Sequence, residues 1–204
     1  MIKIKIPPKQ SNKNLENFFI KKKLKFIVEL SKRKKDNVNK MTEKEKYYPN
    51  LNDLYRLYQF ILLNKRTTVL EFGSGWSTLI FNLALEELKN KYSKQVNSLR
   101  RNNPFELFVL ENQKKYLNIT KNRKIKFNNY LKIKTPIKIN YILTDVEMTI
   151  FKDRICTQYK KLPLCNPDFI YLDGPNQFKV KKDINGISTR HKDMMPMVSD
   201  ILKF

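Results

Sequence analysis

The chain is short of the residues that most readily betray an activity. Its 204 residues hold two cysteines, one histidine, four glycines and a single alanine, Ala84. Cys156 and Cys165 are too few and too close to staple a secreted mini-protein or to build a cysteine-bound structural zinc. They also lack the C-x-x-C spacing of a redox or metal pair. His191 is the one candidate base for a Ser-His-Asp triad, and the G-x-S-x-G turn of hydrolases does not occur. Flanked by Arg190 and Lys192, it reads as a surface side chain. No run approaches the roughly 18 consecutive apolar residues of a membrane span, and the opening MIKIKIPPKQ lacks the apolar stretch of a signal peptide. A soluble, cytoplasmic chain with no membrane span is expected.

What is present is 41% apolar residues, enough for one domain core at this length, and a large excess of base. Lys and Arg number 42 against 19 Asp and Glu, a formal charge of +23. Such a charge ordinarily points to a polyanion. Its makeup argues the other way: 34 of the bases are lysine and 8 arginine, and Asn and Ile are abundant, the mark of AT-rich codons. Bidentate recognition of phosphates and bases favours arginine. A basic nucleic-acid or acidic-partner binding protein on an α/β scaffold is therefore the second reading, carried by charge.

Residues 1–64 read as a basic helical segment. Leu15, Phe18, Phe19, Phe26, Ile27 and Leu30 recur at helical spacing with Lys21 to Lys23 among them, which predicts an amphipathic helix near 12–33 covering an edge of the core. Leu51, Leu54, Tyr55, Tyr58, Ile61 and Leu62 predict a second, capped by Asn50 or Asn52 and ending near Asn64. Residues 65–204 then alternate. Short β-prone runs occur at 67–72, 107–110, 139–143 and 169–172, and a helical pattern covers Trp76 to Lys91. The Asn-Lys-rich stretches 89–104 and 112–129 read as helix ends and loops. Strands alternating with helices predict an α/β fold, a mainly parallel sheet covered on both faces.

Because glycine is scarce, its placement is informative. Two of the four fall in Glu71-Phe72-Gly73-Ser74-Gly75-Trp76-Ser77-Thr78, where a strand ends and a helix begins. Glycines there permit backbone angles closed to other residues and a close approach of a ligand to the main chain. A dinucleotide site wants a third glycine, where this chain has Thr78, and Glu71 would repel a pyrophosphate. A cationic ligand suits Glu71 better. Trp76 could stack on a cofactor, though packing is its commoner role.

The segment Val69-Leu70-Glu71-Phe72-Gly73-Ser74-Gly75 resembles motif I of the class I S-adenosylmethionine-dependent methyltransferases, an acid, any residue, Gly, any residue, Gly. Glu111, closing Phe108-Val109-Leu110-Glu111, stands where that family places the acid that binds the ribose hydroxyls. Asp168-Phe169-Ile170-Tyr171-Leu172-Asp173-Gly174-Pro175 resembles the family's fourth strand with the Asp-Gly-Pro of a subset of its members. The resemblance implies a Rossmann-like doubly wound sheet and S-adenosyl-L-methionine as methyl donor to an oxygen or nitrogen nucleophile. It implies a cofactor site drawn from Glu71, Gly73, Ser74, Gly75, Ser77, Thr78, Glu111 and Asp145, with Asp173 as the catalytic residue and no metal ligands assigned. The family's sheet usually has seven strands. Met194–Phe204 reads as the helix after strand four, so the expectation is a chain truncated there.

Overall fold

The computed structural model describes residues 3–33, 48–134, 136–190 and 198–204. In chain order these form α1 (Asn12–Lys21), α2 (Lys25–Ser31), α3 (Leu51–Leu63), β1 (Thr68–Phe72), α4 (Trp76–Asn97), β2 (Glu106–Glu111), α5 (Lys114–Leu131), β3 (Lys138–Leu143), β4 (Val146–Phe151), β5 (Arg154–Tyr159) and β6 (Phe169–Leu172). Four strands pair in the order β3-β2-β1-β6, all parallel, with β1 and β2 inside. All five residues of β1 are buried, as its unbroken β-prone run requires of a central parallel strand.

Successive side chains of a strand point to opposite faces, and here both faces are covered. Val69, Leu107 and Val109 turn to a helical layer, where Phe19, Ile27, Tyr58, Ile61, Ile80 and Phe127 share one core with them. Residues on either side of position 64 thus pack together. Leu70, Phe72, Phe108 and Leu110 turn the other way, onto Val146, Met148 and Tyr159 of an antiparallel β4–β5 hairpin and onto Val180. The fold is α/β, consistent with a Rossmann-like doubly wound sheet. Among the described residues the five α-helices pack on one face, and the hairpin covers the second.

That hairpin departs from the expected alternation of strands with helices, since two antiparallel strands follow β3. Its tip is Lys152-Asp153, both at positive φ (47° and 60°), the conformation of a tight hairpin turn in which Asn-Gly or Asp-Gly is usual. Without a glycine the turn leaves no signal in the sequence. Asp145 and Glu147 consequently stand at the hairpin's root, not in a long loop.

The helix expected over 12–33 is two. A continuous helix would next require apolar residues at 22 and 23, and both are lysine. The chain instead turns at Lys23, with φ of 61°, and the Leu24 N–H bonds the Phe19 carbonyl at 2.8 Å. This break brings Leu24 into the same core as Phe19, from which a straight helix would rotate it by about 140°. Lys22 meanwhile reaches Glu87 at 2.6 Å and lies over the Tyr58 ring.

Of the stretches read as helix ends and loops, 89–104 holds the end of α4, to Asn97, and then a loop, whereas 112–129 is corrected: α5 fills 114–131. Only Leu117, Thr120, Phe127 and Asn128 of α5 are buried, so its apolar face was too thin to show in the pattern. Of the helix expected over Met194–Phe204, residues 194–197 lie outside the described residues, as does His191. Its remainder holds a short 3-10 turn, Asp200–Lys203, whose Asp200 carboxylate accepts the Tyr159 N–H at 2.9 Å. Among the described residues no helix is long and apolar enough to cross a membrane.

Asp168 fixes where β6 begins. Its carboxylate accepts the N–H groups of Thr67 (2.9 Å) and Thr68 (3.0 Å) and pairs with Arg101 at 2.7 Å. With that end held, the register puts Phe72 beside Leu110 and Leu172, and the carboxyl ends of β1, β2 and β6 come level.

Candidate functional site

Glu71 lies on the helical face of β1 and is fully buried. Its carboxyl accepts hydrogen bonds from the Ser77 hydroxyl and, at 2.6 Å, from the Thr78 hydroxyl. Thr78 Oγ1 in turn accepts the Gly75 N–H at 3.1 Å. The three expected cofactor residues Glu71, Ser77 and Thr78 are thus brought together, but their polar atoms face one another and lock the turn from beneath. Burial pushes the Glu71 carboxyl up to about 8, opposed by the two hydroxyl donors and reinforced by Asp173 and Glu111. Near neutral pH the group is mostly uncharged, so the charge repulsion expected against a pyrophosphate is weak. Thr78, buried where the dinucleotide pattern has glycine, is the stronger objection to that reading.

The two glycines of the turn differ. Gly73 has φ of +100°, and a Cβ there would lie 2.8 Å from the Asp173 carbonyl carbon. The space is held by the main chain after β6, not by solvent. Gly174 is the reciprocal case, its absent Cβ falling 2.9 Å from the Gly73 Cα. Gly75 is extended, and nothing stands within 4 Å of where its Cβ would be. Of the two, Gly75 is the one with open space beside the main chain.

Glu111 ends β2 and is 4% exposed. Its Oε2 accepts from the Ser74 hydroxyl at 2.7 Å and its Oε1 from the Gln113 N–H at 2.9 Å. Burial raises its pKa against these donors. A solvated helix-capping acid, the plain alternative for this residue, does not describe it. Asp173 follows β6 and is exposed at the rim. Its crowded, poorly hydrated surroundings and the charge of Asp53 push its carboxyl up to about 6. Asn112 and Asn176 bond reciprocally, at 3.1 and 3.3 Å, and tie the segment after β2 to the segment after β6.

Beside Asn112, at the carboxyl ends of β2 and β3, lies a cleft of about 400 Å³ lined by Lys114, Leu143, Thr144, Asp145, Lys160 and Lys161. Asp145 alone of the expected cofactor residues borders it. Its carboxylate is exposed, bonded to Lys181 at 2.8 Å and held below its ordinary pKa by that bond.

Two further groups were not foreseen. Tyr159, on β5, is 2% exposed, and among the described residues its hydroxyl has no hydrogen-bond partner. That oxygen lies 3.2 Å from the position of a Cβ on Gly174. Burial, then Glu111, Asp200, Asp173 and Glu71, raise its pKa, so the phenol stays protonated. Inward alternation of Val146 and Met148 was the available signal for the hairpin that carries it. The other is Arg123, on α5, whose guanidinium lies 4.0 Å from the centroid of the Trp76 ring. No sequence pattern pairs these two positions. Both cysteines are free, and no cluster of His, Cys, Asp and Glu among the described residues could hold a metal ion.

The chain matches no family model, and neither the curated proteins nor the solved structures yielded a match.

Proposed function

We propose that the protein is a class I-like methyltransferase that uses S-adenosylmethionine to methylate an oxygen or nitrogen nucleophile. One observation carries the reading: the two segments that resemble the superfamily meet at the carboxyl edge of the sheet, Gly73 against Gly174, with Glu111 tied to the same turn through Ser74. In open α/β sheets that edge is where ligands bind.

S-adenosylmethionine supplies a methyl group activated on a sulfonium. The chain's part is alignment, an entropic contribution that can reach several kcal/mol. Glu111 accepts the vicinal ribose hydroxyls in charge-assisted bonds by exchanging them for donors it now holds, the Ser74 hydroxyl and the N–H groups after β2. Gly75 lets a ligand lie against the main chain. Asp173, ionised at neutral pH, takes the acceptor's proton as the new C–O or C–N bond forms and the C–S bond breaks. Calorimetric titration with S-adenosylmethionine, its demethylated product, NAD and a short oligonucleotide tests this. Saturable binding of the first two is expected; binding of neither overturns it.

The lysines of the cleft favour a second reading, a non-catalytic binder of an anionic partner. Oligonucleotide binding that weakens steeply with salt, without binding of either adenosyl ligand, would establish it instead.

A further inference from the structure

Three consecutive residues of the glycine turn do three different things. Ser74 bonds Glu111, Gly75 borders open space, and Trp76 carries the Arg123 guanidinium on its ring. Arg123 lies one helical turn beyond Thr120, whose hydroxyl is 3.5 Å from the Ser74 hydroxyl, so α5 presents both residues to the same turn.

The guanidinium is half-buried. Among the described residues it pairs with no carboxylate, and burial is the one influence on its pKa, which it lowers. In a chain with 42 bases and 19 acids many bases must lack an acid, and in water this costs nothing. Out of water it does, and a partly desolvated cation beside a binding edge calls for an anion. The guanidinium carbon lies 4.0 Å from the Trp76 ring centroid, and among the described residues no hydrogen bond engages its N–H groups, a planar fork that fits a carboxylate. Glu111 reaches the turn through Ser74 and Arg123 through Trp76, with Gly75 between those two positions in sequence. A ligand spanning them carries hydroxyls at one end and a carboxylate at the other.

We infer that Arg123, held against the Trp76 ring, binds the carboxylate of the ligand's amino-acid end. The inference rests on the methyl-transfer reading, and its test separates the two. S-adenosylmethionine and decarboxylated S-adenosylmethionine, which keeps the sulfonium and the amine, are titrated into the full chain and into Arg123→Gln and Arg123→Lys. The wild type is expected to prefer the carboxylate-bearing ligand at least tenfold. Arg123→Gln should lose that preference while binding the decarboxylated ligand as before, with an unchanged melting temperature. Arg123→Lys, which keeps the charge without the fork, should recover part of it. If Arg123→Gln weakens both ligands equally, or neither, the assignment of Arg123 is overturned while the cofactor stands. If the wild type binds neither ligand, the methyl-transfer reading falls and takes this inference with it.

Discussion

Gly73 and Gly174 pack main chain against main chain, each occupying the space where the other's side chain would begin. The pair welds the turn after β1 to the turn after β6, so the scarce glycines of both motifs serve a close approach within the protein itself.

Alanine at either position is expected to destabilise strongly. At Gly73 a methyl group meets the Asp173 backbone at a positive φ, two costs that together exceed about 2 kcal/mol. Gly75→Ala, in extended backbone with open space beside it, should stay within about 0.5 kcal/mol of the wild type. Urea denaturation checks all three. Gly75→Val, stable but obstructing the open side, should weaken S-adenosylmethionine at least tenfold, which is about 1.4 kcal/mol. Wild-type stability in Gly73→Ala would contradict the contact.

Glu71 predicts a pH dependence of stability. Its folded pKa of about 8 lies above the ordinary 4.5, so between these values the folded state holds a proton that the unfolded state has released. Stability therefore falls as pH rises through this window and levels off above 8, at a slope of at most about 1.4 kcal/mol per pH unit. Asp173, raised to about 6, acts in the same sense at lower pH, and Glu111, raised by burial, adds to the slope, so the Glu71 share is the part that Glu71→Gln removes. Glu71→Gln should be less stable at pH 6.5, because Ser77 or Thr78 loses an acceptor, and its stability should fall less steeply than the wild type's between pH 6.5 and 8.5. A urea midpoint independent of pH in the wild type would refute the assignment.

Glu111→Ala is expected to weaken S-adenosylmethionine and its demethylated product alike, by roughly 1.5–3 kcal/mol, the worth of hydrogen bonds to a charged group. Calorimetry on both ligands decides it. An unchanged dissociation constant would leave Glu111 as a brace for Ser74.

Asp173→Asn separates binding from chemistry. Cofactor affinity should stay near the wild-type value while methyl transfer drops on the order of 10²-fold, once a screen of small phenols, sugars, amines and RNA has supplied an acceptor. With a carboxyl near 6, the wild-type kcat/KM should rise through that pH and level off above it, and the variant should lack this limb. Transfer at the wild-type rate in the variant would reduce Asp173 to a turn residue.

The four sheet strands were legible in the sequence to within a residue because each is a compact, mostly apolar run, wholly buried in β1, nearly so in β2 and half-buried in the edge strands β3 and β6. The hairpin was not, since Lys152-Asp153 turns without glycine, nor was the break at Lys23, where charge hides a change of direction. In the site, Glu111 and Asp173 could be placed from strand ends alone. That Glu71 faces Ser77 and Thr78 depends on the direction a side chain takes from β1, and Arg123 reaches Trp76 across two helices, which no spacing within one segment encodes.

The staple at Asp168 sets an order on how the molecule forms. β1, α4 and β2 are neighbours in the chain, whereas the bonds from Thr67 and Thr68 to Asp168 close loops of 101 and 100 residues. Long closures come late in folding because their entropy must be met before their contacts can contribute. The β3-β2-β1 layer should therefore assemble first and β6 dock last, bringing Gly174 and Asp173 to the edge only at the end. Substitutions along β6 should then speed unfolding more than they slow folding, and ligand binding should lag the recovery of helical signal during refolding.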